Sequence, residues 1–442
     1  MSVFENYRNA LWYSIISFFI LCLFFYLVGY KEPIPGYQEC GRYLLTFFYL
    51  GVIILAYNHR LDPRLQIGVI IIGFGLLSFG LNSLYQIYEH NLYGPSTDSY
   101  GYFKYALRFK DESYFSFLEH ILKYTNFNFD DLGYSSVLYF CHNIAADKEV
   151  VVGVQLLFNT IIFALGVIYL YKLCLIIYDG NSRLSSIVVS LWGGMPFLIV
   201  TNASGLKEVT FTSLIIMGMY HIIQFKKNKT IWGILNIFLF IGLCLLFRTA
   251  IAFALFFAFG IVILFTKSNA KKMEILTVIV LLFSSILLPF IISLMGADYE
   301  HVLAVAADRT SRSGASAFQA SLYPILGGFL GPFPNMNQLA AYGFMLSFGL
   351  WVKDVLSPIF LSNVINIIRT KSLLFYPLLC FCAANILMII VSGVSLDMRY
   401  HITYIPFFLI VALAPFDLVF GKNKLGMIWA MLFLIIIVYN CR

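Results

Sequence analysis

The chain has 442 residues, of which 60% are hydrophobic, 18% aromatic and only 12% charged. Soluble domains carry about 25% charged residues, so this composition excludes a soluble enzyme and indicates a protein that lies in a membrane. The formal net charge of +7 resides mostly in short loops between apolar segments, a distribution that does not indicate nucleic acid as a partner.

Continuous apolar segments recur along the whole chain, and a membrane helix needs roughly 20 such residues. They are too long and too continuous for barrel strands, which alternate in segments of about 10 residues. We therefore predict an all-α, polytopic membrane helical bundle of about 13 transmembrane helices, with 1–442 forming a single integral membrane domain. The predicted spans are 11–29, 43–57, 67–88, 151–171, 184–201, 209–225, 231–247, 250–266, 274–295, 341–367, 374–394, 401–420 and 425–440.

Basic residues cluster in alternate loops between these spans, which the positive-inside rule assigns to the cytoplasm. The clusters are Arg60/Arg64, Lys172/Arg183, Lys226/Lys227/Lys229, Lys267/Lys271/Lys272, Arg369/Lys371 and Lys422/Lys424. This pattern predicts a cytoplasmic N-terminus and two large periplasmic loops, 89–150 and 296–340. It also requires 341–367 to be one span, tilted or broken at Pro358.

Arg248 is the only charged residue in the apolar segment 231–266. Two spans fit into this segment only if the chain turns back at Arg248. Burying an arginine in hydrocarbon costs at least ~2.5 kcal/mol. Arg248 therefore either snorkels from a helix end to the headgroups or lies in a polar cavity that binds an anionic ligand. Its predicted outer position, one outer turn after Lys207 and Glu208, favours ligand binding.

The first outer loop carries Asp98 in the sequence GPSTDSYGYFKYALRF. Ser96 or Thr97 is placed to cap a helix, with Tyr102 on the same face as Asp98. The carboxylate is a candidate general base for a sugar hydroxyl, or simply an acid favoured by the helix dipole. Residues 113–124 have apolar positions at helical spacing, which predicts an amphipathic helix lying on the membrane beside a groove for a lipid-borne substrate.

Two further charged pairs fall in other predicted outer segments. Lys207 and Glu208 occupy a very short turn between spans, where they form either a mutually satisfied ion pair or a phosphate ligand with its orienting carboxylate. Arg309 and Arg312 are three residues apart, so on a helix they share a face. Arginine pairs suit bidentate phosphate recognition, and the alternative is a solvated charge pair.

Arg399 and His401 lie before the penultimate span, in the sequence SLDMRYHITYIP. Such a pair is suited to binding a pyrophosphate or to protonating a leaving group, whereas the simpler role of the histidine is a polar anchor. The Gly/Pro-rich stretch 322–334 cannot easily span and is predicted to be re-entrant or interfacial, which requires protein around it.

No zinc-ligand spacing, P-loop, dinucleotide fingerprint or nucleophile elbow occurs in the sequence. We therefore predict no metal and no cofactor, and a donor other than a cytosolic nucleotide. An activated lipid-linked donor used on the outer side suits the five basic residues that gather there. They are Lys207, Arg248, Arg309, Arg312 and Arg399.

Four local features accompany this layout of many spans and two sizeable outer loops: Asp98 with its following helix, Lys207–Glu208 at a helix start, GPFPN at 331–335, and Arg399 with His401. Together they resemble the bacterial O-antigen polymerases of the Wzy type and related GT-C membrane glycosyltransferases. The resemblance implies undecaprenyl-diphosphate-linked oligosaccharides as donor and acceptor, catalysis without a required metal, the bacterial inner membrane, and a chain-length regulator protein as a further partner.

The leading hypothesis is therefore a polysaccharide repeat-unit polymerase active at the periplasmic face. In it, Asp98, Glu208 and His401 are catalytic, and the five basic residues bind the donor's diphosphate. One alternative is a transferase that adds a single sugar from a polyprenyl-monophosphate donor. Another is a lipid-linked oligosaccharide flippase or other transporter, against which the apolar mid-span segments and long outer loops count.

Overall fold

The structure, a computed structural model, describes residues 16–17, 20, 36–58, 61–94, 96–124, 130–264, 326–333, 348–392, 397–419 and 422–440. Every element in these ranges is a helix and none is a strand, which confirms the predicted all-α class. The helices are α1 (Gly36–Asn58), α2 (Pro63–Tyr88), α3 (Thr97–Arg108), α4 (Tyr114–Tyr124), α5 (Leu132–Ile144), α6 (Lys148–Ile177), α7 (Ser182–Gly193), α8 (Pro196–Ala203), α9 (Glu208–Asn228), α10 (Ile231–Phe247), α11 (Thr249–Leu264), α12 (Phe348–Thr370), α13 (Tyr376–Val391), α14 (Met398–His401), α15 (Ile405–Ala412) and α16 (Lys422–Asn440).

Three of these helices, α2, α6 and α12, are long and apolar enough to cross a membrane. The bent pair α7 and α8 passes the same test as a fourth span. Several further apolar helices have 10 to 17 residues. The described part of the chain is thus a helical membrane protein, while the total of about 13 spans stays a prediction. The predicted span 274–295, and nearly all of 11–29, lie outside the described residues.

Prolines change two of the predicted spans. The predicted span 184–201 corresponds to two helices, α7 and α8, which meet at an angle of 44° and are long enough to cross a membrane only as a pair. Pro196 occupies the start of α8, where its missing N–H does no harm but where it cannot continue α7. The predicted helix over 401–420 is likewise shorter: α15 begins beside Pro406 and ends before Pro415. By contrast, α12 continues through Pro358, as the single-span prediction requires.

The predicted amphipathic helix at 113–124 is confirmed as α4, but its apolar face is covered by protein. Phe117 and Ile121 are buried against Leu132 and Tyr139 of α5. Phe115 is 82% exposed. The position of α4 on the membrane surface stays a prediction.

Two hydrogen bonds each join a pair of segments that lie at or next to predicted cytoplasmic turns. Arg183 donates to the carbonyl of Tyr57 at 2.9 Å, and Lys226 donates to the carbonyl of Leu373 at 2.5 Å. Helix α9 contains Lys226 near its C-terminal end and begins at Glu208. The side of the membrane on which each turn lies stays a prediction.

The described part of the stretch 322–334, residues 326–333, is partly covered by protein. It forms a helical turn followed by irregular chain; Phe333 is buried, whereas Phe329 is 50% exposed. Lys353 of α12 donates to the carbonyls of Leu330, at 3.0 Å, and of Gly331. These bonds satisfy carbonyls that the end of the helical turn leaves without partners, as irregular backbone at membrane depth requires. Asp354 lies 3.6 Å from Lys353, and both side chains are fully buried.

Gly205 forms the turn that leads from α8 into α9, with a left-handed φ of +61°. Its carbonyl accepts hydrogen bonds from Tyr134 Oη at 2.6 Å and from Gln155 Nε2 at 3.0 Å. Tyr93 Oη donates to Gln155 Oε1 at 2.7 Å. Buried polar side chains of α5, α6 and the loop after α2 thus fix the backbone that precedes the functional residues of α9.

We expect Gly205→Ala to destabilise the protein by roughly 1–3 kcal/mol more than Gly180→Ala. Both glycines have left-handed φ values, +61° and +86°, so both substitutions carry the same kind of backbone strain. A Cβ at Gly205 overlaps the ring of Tyr93, whereas a Cβ at Gly180 enters open space. Thermal unfolding of both variants in one detergent measures the difference, and equal losses would contradict it.

Candidate functional site

Four predicted outer turns bring their charged residues together at the end of the bundle where α9 begins. The charges of Lys207, Arg248 and Arg399 all act on the carboxylate of Glu208. Asp98 reaches the same group of residues through Arg399. We call this group the charged end and define it by its members. They are Asp98, Tyr102, Asp130, Asp131, Lys207, Glu208, Arg248, Asp397, Arg399 and Tyr400.

Arg399 is held by two carboxylates, one from Asp397, two residues before it, and one from Asp98, 301 residues before it. Its Nη1 lies 2.8 Å from Asp98 Oδ2, and its Nη2 lies 3.1 Å from Asp397 Oδ2. Burial by itself lowers the pKa of Arg399, but the charges of Asp397, Glu208 and Asp98 outweigh it and raise that pKa above its ordinary value. Asp98 is in the first turn of α3, which Ser96 Oγ caps by accepting from the N–H of Ser99, as predicted.

Lys207 is almost completely buried, with 3% of its surface exposed. Its ammonium group forms an ion pair with Asp131 and donates to the carbonyl of Phe247 at 2.9 Å. Asp131 Oδ1 also accepts from Tyr102 Oη at 3.1 Å. The phosphate-binding role of Lys207 stays a prediction, since these partners already occupy its ammonium group.

Arg248 lies at the break between α10 and α11, as the sequence predicts. Its N–H closes the last turn of α10 on Cys244, and its carbonyl accepts from Ile251 and Ala252 in α11. The backbone of Arg248 itself is extended, with φ −165° and ψ +105°. The chain turns here because one residue leaves the helical conformation while both helices keep their terminal hydrogen bonds.

The guanidinium of Arg248 stacks on aromatic rings, 4.7 Å from the ring centre of Tyr400 and 5.7 Å from that of Phe211. Within the described residues it makes neither a hydrogen bond nor an ion pair. The described residues therefore use none of its five side-chain N–H donors, and cation–π contacts hold the side chain in place. A planar donor fork of this kind matches the oxygens of a phosphate.

Glu208 is the first residue of α9 and is only 5% exposed. Its Oε2 has no hydrogen-bond partner in the described part of the chain. Burial raises the pKa of Glu208 above the ordinary value, although Arg248, Lys207 and Arg399 each act to lower it. A buried carboxylate oxygen with spare acceptor capacity, close to an unpaired guanidinium, is a suitable acceptor for a ligand hydroxyl.

The other predicted site residues fall into two groups. His401 is fully buried, and its Nδ1 lies 2.7 Å from Tyr404 Oη, so its catalytic role stays a prediction. Arg309 and Arg312 lie outside the described residues. Among the residues that the structure describes, no three His, Cys, Asp or Glu side chains are arranged to hold a metal ion.

Sequence reasoning did not assign a role to Asp130, Asp131 or Tyr400. Asp130 accepts from Thr249 at the start of α11, and Tyr400 supports Arg248. The sequence does contain a signal for the first two, since they are adjacent acids directly before the apolar helix α5 in FNFDDLGY. Two of their partners, Lys207 and Thr249, are however 76 and 119 residues away, and no local pattern indicates them.

The fold and the site together define a helical membrane protein with a charged cluster at one end of its bundle. Comparisons with family models, with curated proteins and with solved structures each found no match for this chain.

Proposed function

We propose that the protein is a membrane glycosyltransferase that uses sugars carried on polyprenyl phosphates. The observation that carries the proposal concerns two groups at the end of a membrane bundle. The guanidinium of Arg248 has no ion-pair partner among the described residues, and its charge acts on the buried carboxylate of Glu208. Transfer from a phosphate-linked donor needs a cation for the phosphate and a base for the acceptor hydroxyl. The charged end supplies one of each.

In the proposed reaction, the acceptor hydroxyl oxygen attacks the anomeric carbon of the donor sugar. The bond between that carbon and the phosphate oxygen breaks, and the carrier phosphate leaves with the electron pair. Arg248 stabilises the negative charge that develops on the phosphate. Glu208 accepts the hydroxyl proton, for which a carboxylate of raised pKa is better suited than Asp98, which Arg399 holds in an ion pair.

At a finer level, we propose a polymerase of undecaprenyl-diphosphate-linked repeat units, of the O-antigen or capsule type, at the periplasmic face of the bacterial inner membrane. The long loop 89–150 supports this, because it contributes Asp98, in α3, and Asp131, directly before α5, to the charged end. A growing polysaccharide is larger than a single sugar and therefore needs a larger outer loop to bind it. A chain-length regulator is the expected protein partner.

A second candidate is transfer of one sugar from a polyprenyl-monophosphate donor. Of the three cations that the structure describes at the charged end, Lys207 and Arg399 are paired with carboxylates. The unpaired charge of Arg248 alone is matched to one phosphate group rather than two.

Deletion of the gene, followed by electrophoresis of surface polysaccharide and analysis of lipid-linked precursors, separates the candidates. The polymerase proposal expects loss of the ladder of repeats and accumulation of single lipid-linked units at the outer leaflet. A ladder shifted by one missing sugar indicates the monophosphate transferase instead. Precursor trapped at the inner leaflet indicates a flippase, and unchanged long polysaccharide overturns the proposed function.

A further inference from the structure

We infer that Asp130 and Asp131 are positioning residues that fix Arg248 in its ligand-binding place, an inference that rests on the proposed function. In this proposal neither carboxylate contacts a ligand. Asp130 binds the residue after Arg248, and Asp131 binds, through Lys207, the residue before it.

Asp130 fixes the residue after Arg248. Its Oδ1 accepts from the backbone N–H of Thr249 at 2.6 Å and from the Thr249 hydroxyl at 2.7 Å. The first N–H groups of a helix have no partner within it, so an acceptor from another segment determines where α11 begins. The start of α11 is therefore set by a residue 119 positions earlier in the chain.

Asp131 fixes the residue before Arg248, through Lys207. The ammonium of Lys207 binds Asp131 and also the carbonyl of Phe247, at 2.9 Å, at the end of α10. The carboxylate of Asp131, the ammonium of Lys207 and the carbonyl of Phe247 thereby connect the first outer loop, the start of α9 and the end of α10. Arg248 is held between these two attachments, with its own N–H and carbonyl engaged in α10 and α11.

The backbone at Asp131 is itself strained, with a left-handed φ of +82° in a residue other than glycine. This conformation costs of order 1–3 kcal/mol and persists only where surrounding contacts require it. Tyr102 and Lys207 supply such contacts on Oδ1, at the start of α5.

Electrostatics and positioning predict opposite effects for loss of these carboxylates. The negative charges of Asp130 and Asp131 both act on Arg248. If they acted only through charge, removing one would strengthen binding of an anion at Arg248. If Asp130 positions Arg248, removing it weakens that binding in spite of the more favourable charge.

The test measures binding of inorganic pyrophosphate to the purified full-length protein in detergent, from the ligand-induced shift in thermal unfolding. We expect Asp130→Ala to weaken binding of pyrophosphate about 10-fold. This is the effect of losing one well-placed charged contact, here the contact between the displaced Arg248 and the pyrophosphate. Asp130→Asn retains binding within about 3-fold, because its side-chain oxygen still accepts from Thr249. Asp147→Ala is the matched control, since this exposed residue also precedes a helix but makes no capping bond; it leaves binding unchanged.

The outcomes separate this inference from the proposed function. Equal or tighter binding by Asp130→Ala overturns the positioning role while leaving Arg248 as the phosphate ligand. No pyrophosphate binding by the unmodified protein overturns the phosphate site itself. Lys207→Met and Asp131→Ala form a double-mutant cycle for the second attachment, and additive losses would show that they do not act as one unit.

Discussion

Arg248→Ala is expected to lower product formation by at least about 100-fold, the scale at which removal of a single charge-stabilising donor acts. The guanidinium makes no ion pair within the described residues. Its removal therefore does not deprive any described carboxylate of an ion-pair partner. Membrane insertion and folding should therefore be retained. Product from a lipid-linked donor, measured in membranes with matched amounts of protein, provides the test.

Two comparisons make this prediction specific. Arg248→Lys should restore only part of the activity, because an ammonium keeps the charge but lacks the planar donor fork and the stacking on Tyr400. Arg108→Ala is the matched control: this exposed arginine also stacks on an aromatic ring, that of Phe109, 5.5 Å away. It lies at the opposite end of α3 from Asp98 and should leave activity unchanged. Normal activity of Arg248→Ala would return Arg248 to the role of a helix-end anchor.

Glu208→Gln is expected to lower the rate by roughly 10²–10⁴-fold, the contribution typical of a positioned general base. Glutamine keeps the size of the side chain and can still form hydrogen bonds. It cannot take up the proton of the acceptor sugar's hydroxyl. Binding of pyrophosphate should be maintained or strengthened, since a negative charge beside Arg248 is lost. Two measurements check this prediction. The rate of product formation is compared between Glu208→Gln and the unmodified protein, and the pyrophosphate-induced shift in unfolding temperature is measured for both.

The pH profile provides a second test of Glu208. A general base acts when it is deprotonated, so activity is lost as the pH falls through its pKa. Because burial raises the pKa of Glu208, this loss should begin at a higher pH than for a solvent-exposed glutamate. Arg399→Gln removes one of the cations that lower this pKa and should move the loss to still higher pH. A profile that does not respond to Arg399→Gln would argue against Glu208 as the base.

The sequence predicted the helical class and the positions of most described helices. Apolar length suffices for this, because the membrane imposes the same requirement on every span. Local rules failed where proline interrupts a long apolar run, at Pro196 and around Pro406.

Within the site, the sequence singles out five charged residues: Asp98, Lys207, Glu208, Arg248 and Arg399. Charges are costly near hydrocarbon, so each one stands out against its apolar surroundings. Which of them are paired became visible in the folded chain. Arg399 meets Asp98 across 301 positions, and Lys207 is held by Asp131, whereas the guanidinium of Arg248 stacks on Tyr400. The physical reason is that ion pairing depends on distances of a few ångströms between turns that are remote in sequence, and spacing along the chain does not encode those distances.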